Sequence, residues 1–117
     1  MALDNTILTP AGNETELQVY SGHAIIDYPF TFVFEDDSSP YPFNGYSSGF
    51  FKIYQSRIEK KIKTFTTQVS RNANNLVLNC SASDMLISSR GSYYYELGYV
   101  RSGGYEIVLQ YGKLIVK

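Results

Sequence analysis

Short segments in which apolar and polar residues alternate are the feature of this 117-residue chain that most limits its fold. The first of them places Phe30, Phe32 and Phe34 on one side, with Thr31 and Glu35 on the other. Because successive side chains of a strand point to opposite faces, a period of two predicts a β-strand with one buried face. The alternation recurs at 51–55, 76–80, 93–97 and 105–109.

Turn-forming residues separate these segments. Residues 35–49 include two prolines and the pair Asn44-Gly45, and 102–104 reads Ser-Gly-Gly, which is typical of a hairpin turn. Aromatic residues make up 15% of the chain and favour strands over helices. About seven to eight short strands joined by turns predict an all-β fold, either an antiparallel sandwich or a small barrel.

One stretch lacks this alternation. Residues 83–88 are expected to form a short helical turn, capped by Ser83 or Asp84. We expect that turn to direct three apolar side chains inward: Met85, Leu86 and Ile87.

Two parts of the chain differ in composition. Residues 1–25 are polar and rich in turn formers, so we expect an N-terminal arm or an edge strand there. Residues 26–117 contain the alternating segments, and we expect them to form one sandwich domain. No apolar run approaches the roughly 18 residues that cross a bilayer, so we expect no membrane partner.

Charge is distributed unevenly along the sequence. Residues 1–51 carry seven acidic residues and no Lys or Arg, whereas residues 52–117 carry all ten Lys and Arg against four acids. The two sets could pair across strands within the fold. They could also give the molecule an acidic side and a basic side, which suits head-to-tail contact with copies of itself or with a partner.

Residues that could support catalysis or bind a cofactor are few. His23 stands alone in a polar segment, and Cys80 is a single cysteine that we expect to be buried. The acidic run Glu35-Asp36-Asp37 lacks the spacing of a calcium loop and reads as a solvated turn. We therefore expect no enzyme activity, no metal and no cofactor.

The densest basic stretch, 57–63, has four Lys or Arg with aromatic residues nearby. Single-stranded nucleic acids bind to such combinations of charge and stacking rings. The net charge of −1 and the pI near 5.7 argue against this, since nucleic-acid-binding domains are usually basic. We expect no nucleic-acid partner.

Three consecutive tyrosines lie within Gly91–Val100. On a strand Tyr93, Tyr95 and Leu97 point to one face and Tyr94 and Glu96 to the other, so the run is not a three-ring platform. We expect the first set to lie in the core. The side chains that we expect to contact a partner are Tyr41, Tyr46, Tyr94, Glu96 and Tyr99.

The order of these features resembles a known family. An aromatic strand YPFTFVFEDD is followed by FNGY, GFFKIYQSR, NNLVLNCSASDMLISSRGSYYYEL and a closing YGKLIVK. Over roughly residues 26–117 the chain resembles the immunoglobulin-like N-terminal module of tailed-phage baseplate upper proteins and related phage fibre and head-decoration proteins. The matching residues are Asp36, Pro40, Gly45, Phe51, Ile53, Leu76, Leu78, Leu86, Gly91, Tyr93, Tyr95, Leu97, Gly112, Leu114 and Val116.

The resemblance implies an immunoglobulin-like antiparallel sandwich and a non-enzymatic structural role in a virion that is assembled in a bacterial cytoplasm. The expected partners are other virion proteins (major capsid, collar, tail or fibre subunits) or further copies of this chain. Because the chain ends where the module ends, a capsid decoration, a collar or tail protein or a small baseplate adaptor is favoured over a baseplate arm. The alternative is a module that binds carbohydrate or a host surface through its exposed aromatic residues.

Overall fold

The computed structural model describes residues 14–34, 39–55, 61–87 and 89–117. Within these ranges the chain forms eight strands: β1 (Leu17–Val19), β2 (Ile25–Thr31), β3 (Tyr46–Tyr54), β4 (Lys61–Phe65), β5 (Val69–Asn72), β6 (Asn75–Cys80), β7 (Gly91–Arg101) and β8 (Glu106–Val116).

The strands form two sheets. One has the order β1-β8-β7-β3-β4 and the other β2-β6-β5. Neighbouring strands are antiparallel except that β1 runs parallel to β8. Strands β2, β6 and β5 take the places of B, E and D, and β8, β7, β3 and β4 those of G, F, C and C′, which is the strand order of an immunoglobulin-like sandwich. The predicted all-β sandwich is confirmed.

The core lies between the sheets and consists of the inward positions of the alternating segments. Phe30, Phe32 and Phe34 are buried, and Tyr95 and Leu97 are fully buried. Tyr93 packs partly buried against this core. The other large contributions come from Phe51, Ile53, Leu76, Leu78, Met85, Leu109, Leu114 and Val116.

A hydrogen bond at the start of β7 is typical of immunoglobulin-like domains. The Tyr93 hydroxyl donates to the carbonyl oxygen of Ser89, four residues earlier, at 2.6 Å, which is the geometry of a tyrosine corner. Two residues later, where antibody domains place the second cysteine of their inter-sheet disulfide, the chain has Tyr95. The Tyr95 ring packs 5.8 Å from that of Phe51 on β3. A fully buried aromatic ring therefore stands where an antibody domain has its second cysteine, and this contact lies within the five-stranded sheet.

The expected helical turn is a single hydrogen-bonded turn over residues 82–85, with Ser88 outside the described residues. The capping residue is Ser81, because its hydroxyl accepts from the Asp84 N–H at 3.0 Å and the Asp84 carboxylate accepts from the Ser81 N–H at 2.9 Å. These two reciprocal hydrogen bonds form a capping box. Its capping residue, Ser81, lies two positions before Ser83, the first of the two predicted caps. Met85 and Ile87 point inward as expected, but Leu86 is 65% exposed, so its predicted burial is wrong.

A bulge interrupts the pairing of β7 with β8. The register shifts between Leu97 and Gly98, whereas Tyr95 pairs regularly with Gly112. The extra residue opposite this shift is Leu109, which is fully buried. Gly112 lies in the regular part of this pairing, and a side chain at this position would collide with the backbone of Thr15 beside β1.

Candidate interaction surfaces

Two of the five predicted contact residues lie inside the molecule. Tyr41 is 4% exposed and Tyr99 1%, and their hydroxyls are 2.8 Å apart in a hydrogen bond. Tyr41 is drawn in because its N–H donates to the Phe32 carbonyl, which folds the connection back onto the sandwich. Tyr99 follows the alternation that buries Leu97, since β7 continues to Arg101. Their predicted exposure is wrong.

Tyr46, the third residue, is half-buried at the same end of the sandwich. Its ring stacks on that of Tyr99 at 5.8 Å and meets the edge of Phe43 at 6.1 Å. The Arg71 guanidinium lies over both outer rings, 5.3 Å from Phe43 and 5.8 Å from Tyr46. Because of these contacts, Tyr46 belongs to a packed group of aromatic rings at this end of the sandwich, and Arg71 stabilises that group through cation–π contacts.

Tyr94 and Glu96 lie where the sequence places them, on the face of β7 that points away from the core. Directly opposite them on β3 are Tyr54 and Lys52, and Tyr111 of β8 lies opposite Glu96. The Tyr54 hydroxyl donates to Glu96 Oε1 at 2.9 Å. Burial, and then this contact with Glu96, raises the pKa of Tyr54 to about 12, so the phenol stays neutral at physiological pH.

Other large side chains cover the same outer face. Phe50 and Tyr111 are buried, yet neither belongs to the core cluster between the sheets. Lys52 is only 8% exposed, with its Nζ 2.6 Å from Glu106 Oε1 and 4.7 Å from the Phe50 ring centre. We call this surface the outer cluster; its members are Phe50, Lys52, Tyr54, Tyr94, Glu96, Glu106 and Tyr111.

Sequence reasoning identified only the two outer-cluster residues on β7. The rest were missed because their neighbours come from β3 and β8, which are distant in sequence. The alternation along β3 indicates that Phe50, Lys52 and Tyr54 share a face. Only the pairing of β3 with β7 reveals that this is also the face of Tyr94 and Glu96.

A groove opens between the sheets along one lateral edge. It lies between β1 and β2, has a volume of about 420 Å³ and reaches the core at Phe51 and Leu78. Two tyrosines at its rim, Tyr20 and Tyr28, are 55% and 52% exposed. Contiguous exposed apolar patches with polar residues at the rim often mark interaction sites or ligand-binding grooves.

The two lateral edges of the sandwich differ in charge. Strands β1 and β2 form one edge and β4 and β5 the other. Residues 14–34 carry three exposed carboxylates and no Lys or Arg, while residues 61–80 carry Lys61, Lys63 and Arg71 and no acid. Across the described ranges the single ion pair, Lys52–Glu106, joins two residues of the second half. Among the described residues, these carboxylates and these cations therefore lie at opposite lateral edges.

Among the described residues, the side chains that could take part in catalysis or bind a metal are not grouped together. Burial raises the pKa of the Cys80 thiol to about 11, so at neutral pH it is not a nucleophilic thiolate. His23 is exposed in the turn after β1, with its ring 5.6 Å from that of Tyr20. Among the residues that the structure describes, no three His, Cys, Asp or Glu side chains are grouped to hold a metal ion. The acidic run 35–37 lies outside those residues.

Compared with family models, with curated proteins and with solved structures, the chain gives no significant match. The described part of the chain also has no helix of the length and apolarity needed to span a membrane.

Proposed function

We propose that this chain is a non-enzymatic structural subunit of a tailed-bacteriophage virion. In this role the immunoglobulin-like domain docks on the particle as a capsid decoration or as a collar, tail or baseplate adaptor. Its partners are other virion proteins, and assembly takes place in the bacterial host cytoplasm. The phage assignment rests on the sequence resemblance, and the immunoglobulin-like strand order agrees with it.

The observation that supports docking is the outer cluster. Its side chains cover one face of the five-stranded sheet without belonging to the core. Tyr54 is fixed by its hydrogen bond to Glu96, and Lys52 by its ion pair with Glu106. Tyrosines are enriched among the residues that dominate binding energy at protein interfaces. Rings that are already immobilised lose little conformational entropy on binding. This face is therefore suited to contact another protein surface.

The proposal is tested first on the particle itself. Particles are purified by density gradient from a lysate of the host that carries this gene, and their proteins are quantified by mass spectrometry. We expect the chain in fixed stoichiometry to the major capsid protein. Copy numbers in the hundreds would place it on the capsid, and six or twelve would place it at the tail or collar. Absence from purified particles would disprove the proposal.

The docking surface is tested by adding purified variants to particles that lack the chain. Tyr94→Ala removes a ring of the outer cluster, and we expect at least tenfold weaker binding, which corresponds to about 1.4 kcal/mol. Tyr105→Ala is the matched control, because Tyr105 is 72% exposed and outside the outer cluster. Circular dichroism verifies that both variants fold. Equal binding by the two variants would rule out the outer cluster as the docking face.

A second candidate function is carbohydrate binding. Tyr94 next to Glu96 offers an aromatic ring beside a carboxylate, a combination that stacks on a sugar and accepts hydrogen bonds from it. The burial of Tyr41 and Tyr99 removes two of the four tyrosines that were expected to serve this function. A glycan array probed with a multimerised form of the protein distinguishes the two candidates, since specific glycan binding that Tyr94→Ala abolishes would favour the second.

A further inference from the structure

The five-stranded sheet ends in two strands whose outer edges carry no partner among the described residues. β1 pairs there only with β8, and β4 pairs only with β3. Exposed strand edges present unpaired N–H and C=O groups that can pair with another chain. The sheet can therefore be extended at either end.

The strand directions determine how copies of the chain would meet. β1 is parallel to β8, β8 is antiparallel to β7, β7 to β3 and β3 to β4, so β1 and β4 run in opposite directions. Two copies in the same orientation, placed side by side, bring β4 of one against β1 of the next as an antiparallel pair. No rotation of either copy is needed to form the commoner kind of β pairing.

The charges at the two edges are complementary. Glu14 and Glu16 are exposed beside and before β1, and Asp27 is exposed on β2. On β4, Lys61 is exposed and Lys63 partly exposed. Lysines on an edge strand oppose pairing with an identical edge, but they favour a partner edge that carries carboxylates.

Other charges near these edges leave this complementarity in place. Lys113 and Lys117 on and after β8 are next to β1, and their charges reduce the negative potential of the acidic edge. Asp84 interacts with Lys63, which helps to hold the pKa of Asp84 low. The acidic edge thus carries three carboxylates against two lysines, and the basic edge carries Lys61, Lys63 and Arg71 against Asp84.

The apolar groove lies at the same edge as β1. A strand added alongside β1 would lie over the mouth of the groove and shield Tyr20 and Tyr28 from water. β4 presents Ile62, which is 39% exposed, between its two lysines. Pairing with β2 instead is hindered, because its register shifts between Ile25 and Tyr28 and Pro29 has no N–H to donate.

We propose that copies of this chain associate head to tail, with β4 of one copy paired to β1 of the next over the apolar groove at the acidic edge. Such a heterologous contact uses two different surfaces, so it closes into a ring or continues as a filament. The contact involves the chain alone, so it does not depend on the proposed virion function.

The test uses the purified full-length chain in sedimentation velocity, from micromolar to millimolar concentration. In 20 mM salt we expect the sedimentation coefficient to rise with concentration, and in 500 mM salt we expect a smaller rise because the charges are screened. A single monomeric species up to millimolar concentration in low salt would overturn the proposal.

Two charge-reversal variants identify the surfaces. Glu14→Lys/Glu16→Lys alters the acidic edge and Lys61→Glu/Lys63→Glu the basic edge, and we expect each alone to associate at least tenfold more weakly. An equimolar mixture should associate again, because every edge then meets its opposite charge. Arg90→Glu/Arg101→Glu makes the same charge change as the basic-edge variant on exposed residues elsewhere and should behave as wild type. Association that survives in either edge variant, or a mixture that stays monomeric, would overturn the proposal.

Discussion

Tyr95 combines full burial with a polar contact at the edge of the sandwich. Its hydroxyl donates to the Thr15 carbonyl oxygen at 2.6 Å and accepts from Gln110 Nε2 at 3.0 Å. Burial raises the pKa of this phenol to about 12, from an ordinary value of 10.0. The phenolate could not donate to Thr15, so this contact requires the neutral form.

This raised pKa predicts how stability changes in alkali. A folded-state pKa above the unfolded one contributes stability that is complete below pH 10 and is lost as the pH rises through 12. We expect the urea midpoint of the wild type to fall between pH 10 and 12. Tyr95→Phe should start from a lower midpoint and fall less over that interval, since only the wild type loses the Tyr95 contribution. An equal fall in both proteins would contradict this assignment.

The tyrosines show which cases of burial can be predicted from the sequence of one strand and which cannot. Alternation correctly identified Tyr95 and Leu97 as buried, because a period of two is a property of the strand itself. The same rule places Tyr99 inward, but that required knowing that β7 extends to Arg101. Tyr41 is buried by contacts with Phe32, which follows β2, and with Tyr99 of β7, and no local pattern records these contacts.

The pairing of β1 with β8 depends on a glycine. Gly112 of β8 adopts φ +150°, and a Cβ at this position would overlap the backbone of Thr15. Thr15 in turn donates its N–H to Tyr111 of β8 at 2.9 Å. The close approach of β1 to β8 therefore requires the absence of a side chain at residue 112.

We expect Gly112→Ala to destabilise the fold by about 1–3 kcal/mol more than Gly91→Ala, the range typical of overpacking. Gly91 is the matched control, because its φ of +140° is similar but nothing lies within 4 Å of an added Cβ. Urea denaturation measures the difference, and hydrogen exchange of the Thr15 amide shows whether β1 has detached. Equal losses in the two variants would attribute the whole effect to backbone conformation.

The sequence predicted most of the strands but not their partners. Only Ala73 and Asn74 separate β5 from β6, and Ala73 adopts a positive φ of 56°. The parallel pairing of β1 with β8 joins segments about a hundred residues apart, so no local pattern could reveal it. The outer cluster and the lateral groove depend on such pairings, and for that reason neither could be located beforehand.

At the scale of the whole molecule, both sheets contribute to one core cluster. Phe30, Leu76 and Leu78 come from the three-stranded sheet and pack with Phe51 and Leu97 from the other. Each sheet needs the other to bury the residues of this cluster. The sandwich is therefore expected to unfold as one unit.

This shared core predicts coincident unfolding transitions. Far-ultraviolet circular dichroism reports the strands, and the near-ultraviolet signal reports the packed tyrosines, most of which lie on the five-stranded sheet or against it. We expect the same urea midpoint from both probes at neutral pH. Two separated midpoints would mean that the three-stranded sheet can melt while the rest stays folded.

The ring of Tyr95, at the position of the second cysteine of antibody domains, has a consequence for the temperature dependence of stability. The disulfide of antibody domains acts largely by restricting the unfolded chain, whereas ring burial acts by removing apolar surface from water. Burial of apolar surface is accompanied by a large heat-capacity change, and the stabilisation that it provides weakens on cooling. Because the chain has one cysteine, the contact between the two sheets is insensitive to reducing agents, and its strength follows the hydration of the apolar side chains that it buries.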